Sequence, residues 1–248
     1  MSAPEGGARR RPDGAPWRNF HGRRHGKTLR ARQARLLEDL LPRLALPGVG
    51  WDENPDRAPL DPSRLFPGAR DLWLEIGFGG GEHLAYQARA NPDVGLIGAE
   101  PFVNGVAMLL ATLDEDPAPN LRLHMGDARD LLDVLPAGSV GRVFVLYPDP
   151  WPKTRHVERR FIGPDNLTAL ARVMRPGAVL RLATDIDVYV AHALAAVRAH
   201  PAFATVAGGP EDRRRPWPDW PGTRYEAKAL REGRRPTYLT FERLPDDG

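Results

Sequence analysis

Four acidic side chains lie within or shortly after short apolar runs of the sequence. Glu75 lies in the first such run, and Glu100, Asp127 and Asp149 follow the next three. If the runs are parallel strands, their carboxyl ends meet at one crevice, so the four carboxylates could surround an adenosine moiety. Glu100, about 20 residues beyond the first run, is placed to accept hydrogen bonds from ribose hydroxyls. Any one of these acids alone could be a helix N-cap or a turn residue, and the set of four indicates a binding site.

A glycine-rich turn joins the first apolar run to the helix that follows it. Segment 74–82 reads LEIGFGGGE. Glycine permits positive φ and lets a ligand approach the backbone, so Gly77 and Gly79 are predicted to border a nucleotide. The dinucleotide fingerprint G-x-G-x-x-G is incomplete because Glu82 stands at its last glycine, and the G-K-[ST] ending of a P-loop is missing. A strand-to-helix turn with no ligand is the alternative.

Segment 148–153, PDPWPK, is the least generic part of the chain. Its three prolines fix φ at alternate positions and remove backbone donors, which predicts a stiff loop. Such a loop holds Asp149, Trp151 and Lys153 in one geometry. Asp149 could accept from the donor edge of a purine, Trp151 could pack nearby, and Lys153 could bind a phosphate. A rigid turn explains the prolines but does not require these neighbours.

The elements that must position these residues alternate between strand and helix, as a parallel α/β sheet requires. The predicted strands are 72–76, 94–99, 121–125, 142–146, 178–183, 203–207 and 237–243. The predicted helices are 31–44, 82–90, 104–113, 167–174 and one marked by Val190, Leu194 and Val197. The last two strands are predicted to form an antiparallel pair, and the proline-rich stretch 47–67 is predicted to be a loop.

Positive charge is concentrated at the N-terminus. The formal net charge is +3, yet the first 35 residues contain ten basic and two acidic side chains. Arginines interleaved with Trp17, Phe20, His21 and His25 suit phosphate contacts and base stacking on a polyanion. A disordered tail that only solubilises the protein is the alternative.

The composition suits one catalytic domain, residues 31–248, preceded by a basic flexible arm, residues 1–30. The chain has 248 residues, of which 42% are hydrophobic, and contains no cysteine. Disulfides, cysteine-ligated zinc, iron–sulfur clusters and cysteine nucleophiles are therefore excluded. No apolar run of about 18 residues or secretory signal is recognised, so no membrane span is expected and a reducing cytoplasm fits. No cluster of metal ligands is recognised either.

The chain resembles the bacterial-type tRNA (guanine-N7)-methyltransferases, and PDPWPK is the most specific motif that it shares with them. The resemblance runs from about residue 20 to residue 244 and includes GRRHGKT at 22–28, ATD at 183–185 and TRYE at 223–226. It implies a class I, Rossmann-like α/β methyltransferase with a mostly parallel seven-stranded sheet and helices on both faces. It further implies S-adenosylmethionine as cofactor and tRNA as partner. We expect a cytoplasmic protein that is either a monomer or a homodimer.

The resemblance also implies a role for each residue that matches the family. Those implied in cofactor binding are Glu75, Gly77, Gly79, Glu100, Asp127, Ala128 and Asp149. Those implied in substrate binding are Lys153, Asp185, Thr223, Arg224, Tyr225 and Glu226. Segment 101–104, PFVN, departs from the His- or Arg-containing sequence of the family, so the family's polar contact is not expected there.

The reaction implied is methyl transfer to N7 of a guanosine in tRNA, at position 46 of the variable loop. N7 carries an in-plane lone pair and no proton, so no general base is needed there and catalysis comes from alignment and charge. We expect Asp149 to be the catalytic residue that grips the purine, with Asp185 and Glu226 as further candidates.

Two other functions share part of the pattern. A class I methyltransferase for a small molecule or a protein would need the glycine turn and Glu100, but neither the basic arm nor Lys153. An RNA-binding protein on a degenerate methyltransferase fold would need the arm but none of the acids. Methyl transfer from labelled cofactor to bulk tRNA separates these functions.

Overall fold

A single seven-stranded sheet organises the chain in the computed structural model, which describes residues 18–206 and 208–246. Most of the predicted arm, residues 1–17, and residue 207 of the sixth predicted strand lie outside the described residues. The strands are β1 (Asp71–Ile76), β2 (Val94–Ala99), β3 (Leu121–His124), β4 (Val140–Leu146), β5 (Met174–Thr184), β6 (Phe203–Thr205) and β7 (Thr237–Arg243).

The strand order is β3-β2-β1-β4-β5-β7-β6, in which β1 to β5 run parallel. β7 runs antiparallel to both of its neighbours, β5 and β6. The mostly parallel seven-stranded sheet and the antiparallel pair of the last two strands are therefore confirmed. β1 lies in the middle of the parallel part, where the connections that leave neighbouring strands turn to opposite sides of the sheet. A crevice opens at the carboxyl ends of the strands at such a point.

Helices cover both faces of the sheet, as expected. They are α1 (Ala31–Asp39), α2 (Leu41–Leu44), α3 (Pro62–Leu65), α4 (Glu82–Ala90), α5 (Val103–Glu115), α6 (Ala128–Val134), α7 (Pro164–Val173), α8 (Asp187–Arg198) and α9 (Arg224–Arg231). Side chains of β1 alternate between two apolar clusters: Leu74 packs with α6, α7 and α8, whereas Trp73 packs with α1, α4 and α5. Within the described residues, no helix is both long and apolar enough to cross a membrane.

The structure corrects the sequence predictions at several elements, among them α6 and α9, which were not predicted. The predicted helix 31–44 is divided into α1 and α2, since Pro42 lacks the N–H that would continue the helical bonding. The predicted loop 47–67 contains α3, whose N-terminus is capped by Asp61. Strand β5 starts at Met174 rather than at 178, because Met174 already pairs with Val140 before the register shifts.

The described part of the arm lies against the domain. Arg18 donates two hydrogen bonds of 2.7 Å to the Asp133 carboxylate of α6. Farther along, Asn104 of α5 accepts from the Gly26 N–H and donates to the Lys27 carbonyl, both at 2.7 Å. Asn104 thus supplies a polar contact within segment 101–104. The division into arm and domain at residue 30 stays a prediction.

Candidate active site

A cavity of about 500 Å³ opens at the carboxyl ends of β1, β2 and β4. Open α/β sheets bind their ligands at this edge. The sequence-predicted residues in its lining are Gly77, Gly79, Glu100, Asp127, Ala128, Asp149 and Tyr225. Residues 19–23 of the arm complete one wall. Among the described residues, no group of three or more His, Asp and Glu side chains could hold a metal ion.

The glycine turn presents backbone rather than side chains to the cavity. Gly77, Gly79 and Gly81 have φ values of 73°, 57° and 79°, in the left-handed region that favours glycine. Helix α5 packs on the outside of the turn, where a Cβ on Gly105 would lie 2.2 Å from the Gly79 carbonyl oxygen. The turn is therefore held closely between α5 and the cavity.

Glu100 follows β2 and is fixed by the backbone on both sides. It is 7% exposed, and its two carboxylate oxygens accept from the N–H groups of Gly79 and Phe102 at 2.7 and 2.8 Å. Burial raises the pKa of Glu100, and the two N–H donors act in the opposite direction. A carboxylate has about four lone-pair sites, so each oxygen can still accept a bond from a ligand hydroxyl.

Asp127 lines the cavity and is also the N-cap of a helix, which is the structural role that the sequence left open for it. It is the N-cap of α6 and accepts from the Arg129 N–H at 2.9 Å. The Arg129 guanidinium also binds this carboxylate. Burial acts to raise the pKa of Asp127, but the bonds to Arg129 outweigh it and lower that pKa. Arg129 donates in turn to the Asn19 carbonyl, which attaches the arm to this wall of the cavity.

Glu75 is not among the residues that line the cavity. Its side chain is buried, and one oxygen accepts from Nδ1 of His83 at 2.6 Å. The other ring nitrogen of His83 lies 3.3 Å from the amide nitrogen of Gln87. An amide nitrogen only donates, so Nε2 of His83 accepts here and Nδ1 donates to the Glu75 carboxylate. Gln87 also donates to the Asp219 carbonyl, which links Glu75 to the loop before α9.

The PDPWPK loop owes its shape to strained backbone as well as to its prolines. Tyr147 and Trp151 have φ values of 49° and 39°, and each left-handed non-glycine residue costs about 1–3 kcal/mol. The buried Arg160 donates to the carbonyls of Pro150 and Trp151 at 3.0 and 3.1 Å. Hydrogen bonds from a charged donor contribute about 1.5–3 kcal/mol each, which is enough to offset the strain at Trp151.

The two charged residues of this loop are exposed. Asp149 lies at the edge of the cavity, and within residues 18–206 and 208–246 nothing forms a hydrogen bond or ion pair with its carboxylate. Lys153 is the N-cap of a 3-10 helix (Thr154–Arg159) and lies outside the cavity lining. Both side chains are thus available to a ligand that approaches from solvent.

Two further acids predicted to bind substrate form hydrogen bonds within the protein. Asp185 accepts from the Arg234 guanidinium and lies outside the cavity lining. Glu226 accepts from the Trp220 indole N–H at 2.9 Å and from the Tyr238 hydroxyl. The structure therefore does not bring these carboxylates into the cavity with Asp149.

Segment 223–226 forms the start of α9 and contributes one side chain to the cavity. The Thr223 hydroxyl caps the helix by accepting from the Glu226 N–H at 3.1 Å, and Arg224 pairs with Glu82. Tyr225 lines the cavity and stands nearly parallel to the ring of Tyr147, with centroids 6.3 Å apart and planes inclined by 19°. Burial raises the pKa of the Tyr225 hydroxyl, which keeps it neutral.

Some residues at the cavity were not singled out by the sequence. Tyr147 follows β4 and Arg160 follows the 3-10 helix, and both line the cavity. Phe20 and His21, which the sequence analysis assigned to contacts with a polyanion, also form part of the cavity wall, and His21 faces Trp151 edge-on with ring centroids 6.4 Å apart. The spacing of glycines or acids gives no signal for these residues, since each reaches the cavity through tertiary packing.

Comparison with known proteins agrees with this geometry. A family model described as "Putative methyltransferase" matches residues 69–239. A tRNA (guanine-N(7)-)-methyltransferase of Ruegeria sp. (strain TM1040) is 62% identical over 230 residues, which are 93% of this chain and 89% of that protein. One of the same name from Roseobacter denitrificans is 59% identical over 228 residues, 92% and 97% of the two chains.

The chain belongs to the tRNA (guanine-N(7)-)-methyltransferase family. The resemblance inferred from PDPWPK and its companion motifs is thereby confirmed. A solved structure of an antibiotic-related methyltransferase matches with a TM-score of 0.51 at 15% identity. The match covers 82% of the present chain and 100% of that structure's chain. The aminoglycoside resistance methyltransferase NpmB1 matches with a TM-score of 0.50 at 18% identity, over 73% and 91%. At these identities the two matches show the methyltransferase fold alone.

Proposed function

We propose that this protein transfers a methyl group from S-adenosylmethionine to N7 of a guanosine in tRNA, at position 46 of the variable loop. The observation that carries the proposal is that two acids in different environments line the same cavity. Glu100 is buried and held by backbone N–H groups, whereas Asp149 is exposed on a strained loop. Relatives at 62% and 59% identity that are named tRNA (guanine-N(7)-)-methyltransferases support the substrate.

The residues at the cavity fit this cofactor. Glu100 keeps lone pairs for ribose hydroxyls, and the glycine turn leaves its backbone open to a ligand. A Cβ on Gly79 would lie 2.9 Å from the Tyr225 ring and would narrow the cavity at this point. S-adenosylmethionine supplies an electrophilic methyl group on a positively charged sulfur, which suits a cavity bordered by carboxylates. The residues proposed to hold it are Gly77, Gly79, Glu100, Asp127 and Ala128.

Asp149 is proposed to hold the purine through the donor edge of the base. Guanine N7 has a lone pair and no proton, so no residue has to act as a base at that atom. Holding N7 in line with the methyl group can lower the barrier by roughly 7–11 kcal/mol in favourable cases. The transferred methyl leaves positive charge on the purine, and a carboxylate at its edge stabilises that charge. Tyr225 and Tyr147 line the same cavity as Asp149, with their rings nearly parallel.

The basic arm, residues 1–30, is proposed to bind tRNA phosphates outside the cavity. In its described part Arg23 lines the cavity, and the carbonyls of Arg24 and Lys27 accept hydrogen bonds from Val103 and Asn104 at the start of α5. The domain, residues 31–248, then supplies both the cofactor site and the loop that holds the base. The arm would thus bring the tRNA to the cavity wall that residues 19–23 form.

Methyl transfer to tRNA tests the function directly. The full chain is incubated with methyl-labelled S-adenosylmethionine and bulk tRNA, and the tRNA is digested to nucleosides. We expect the label in 7-methylguanosine, and none in a tRNA whose guanosine 46 is replaced by adenosine. Labelling of a small molecule or a protein in place of tRNA, or RNA binding with no transfer, would instead support one of the two alternative functions.

A further inference from the structure

Arg160 is a buried cation in the wall of the cavity. It is 5% exposed, and among the residues that the structure describes no carboxylate forms an ion pair with it. Its guanidinium instead donates from Nε to the Pro150 carbonyl and from Nη2 to the Trp151 carbonyl. These two carbonyls lie on either side of the left-handed residue Trp151. A charge buried among carbonyls needs an explanation, because burial of an unpaired charge is unfavourable.

The segment that carries Arg160 is anchored from the opposite side. The ring of Tyr189, a fully buried residue of α8, lies 5.9 Å from the Arg160 guanidinium carbon. The Tyr189 hydroxyl accepts from the Ile162 N–H at 3.3 Å. The Ile162 carbonyl lies 2.6 Å from Nε2 of His192, which must donate because a carbonyl only accepts. Helix α8 thus holds Arg160, and Arg160 holds the loop.

We propose that Arg160 is a positioning residue for Asp149. By fixing both carbonyls around Trp151, it keeps the PDPWPK loop in the shape that presents the Asp149 carboxylate to the base. This rests on the proposed function, since Asp149 has a catalytic role only if the base is held there. A guanidinium offers two N–H donors in a rigid fork, whereas an ammonium cannot reproduce that geometry, so charge alone is not sufficient.

Loss of Arg160 should therefore affect the rate of transfer more than binding. Displacement of a positioned group by about 1 Å can lower kcat about 100-fold. The cofactor side should be unaffected, because Glu100 and Gly79 are held by their own backbone hydrogen bond. If Arg160 instead bound a tRNA phosphate directly, its loss would raise KM for tRNA and leave kcat nearly unchanged.

Two substitutions with a matched control test the proposal in the full chain. Arg160→Lys keeps the charge without the fork, and Arg160→Gln keeps one donor group without the charge. Arg243→Lys is the control, since Arg243 is also 5% exposed and donates to the Ala171 carbonyl at 2.9 Å away from the cavity, although unlike Arg160 it pairs with a carboxylate, that of Asp246. The readouts are kcat, KM for tRNA, the Kd of S-adenosylhomocysteine and the midpoint of thermal unfolding.

We expect both Arg160 variants to lose about 100-fold in kcat, with KM and Kd within about threefold of the wild type. Arg243→Lys should lower the midpoint of thermal unfolding about as much as Arg160→Lys does, and it should retain full kcat. An unchanged kcat, a loss that appears in KM or Kd, or unfolding of Arg160→Lys at a temperature that Arg243→Lys survives would overturn the proposal. A wild-type chain that does not methylate tRNA would refute the proposed function instead.

Discussion

The two sides of the cavity are built in different ways. On the glycine-turn side, Glu100 is buried and both of its oxygens already accept backbone hydrogen bonds. On the other side, Asp149 is exposed, and no described residue binds its carboxylate. The first side is complete before any ligand arrives, whereas the second leaves its charge for a partner. This difference fits the proposed function, in which the first side binds the cofactor and the second side holds the tRNA base.

The rigidity of the two sides also has different sources. The glycine turn reaches its shape with left-handed glycines, which carry no steric penalty. The PDPWPK loop reaches its shape with left-handed Tyr147 and Trp151, and it depends on Arg160 to stay there. A loop that stores strain is held by the structure around it, so distant substitutions can alter it. We therefore expect the substrate side to be the more sensitive of the two to second-site changes.

The largest effect is expected at Asp149. Asp149→Asn should lower kcat about 10²–10³-fold at saturating cofactor, since the charge that stabilises the methylated purine is removed. Single-turnover kinetics with excess enzyme measure this step. Asp52→Asn, at an exposed acid that does not line the cavity, should retain full activity. If Asp149→Asn changed only the affinity for the cofactor, the division of the cavity into two sides would be wrong.

A smaller effect, on binding alone, is expected at Glu100. Glu100→Gln should weaken S-adenosylhomocysteine binding by about 10- to 100-fold, the range for loss of charged hydrogen bonds. Calorimetric titration gives this Kd. Asp71→Asn is the matched control, because Asp71 is a partly buried acid at the opposite end of the sheet that pairs with Arg175. Equal losses in the two variants would mean that general destabilisation, and not a ligand contact, explains the result.

The smallest effect is expected at Lys153. Lys153→Ala should raise KM for tRNA by a few fold and reduce the slope of log affinity against log salt by about one, as for one lost phosphate contact. Binding measured from low to high salt gives this slope. Arg64→Ala removes a cation that is 88% exposed on α3, and it should leave the slope unchanged. A slope that stays constant in Lys153→Ala would contradict the phosphate contact.

Elements bounded by strong local signals were predicted most closely. The bounds of α4 (Glu82–Ala90) and β2 (Val94–Ala99) match the sequence prediction, because glycine precedes the helix and Asn91-Pro92 separates the two elements. Helices α6 and α9 were missed, although Asp127 and Thr223 are capping residues at their starts. Both helices are short, so their apolar periodicity is weak, and the caps were interpreted as site residues instead.

The site was predicted where its residues follow strand ends, and not where they depend on tertiary partners. Glu100, Asp127 and Asp149 line one cavity because parallel strands end at one edge. Arg160 belongs to a basic run that is typical of an exposed surface, and only the fold shows that it is buried. Glu226 was expected to bind substrate, yet it lies outside the cavity lining and accepts hydrogen bonds from Trp220 and Tyr238, a pairing that no sequence spacing shows.

The most direct test of the proposed chemistry replaces one atom of the substrate. A tRNA with 7-deazaguanosine at the target nucleotide lacks the N7 lone pair but keeps the Watson–Crick edge that Asp149 is proposed to hold. We expect this tRNA to bind with an unchanged Kd and to accept no methyl group in a single-turnover assay, while the guanosine form is methylated fully. Methylation of the 7-deaza nucleotide would show that another atom is attacked, and N7 transfer would be contradicted.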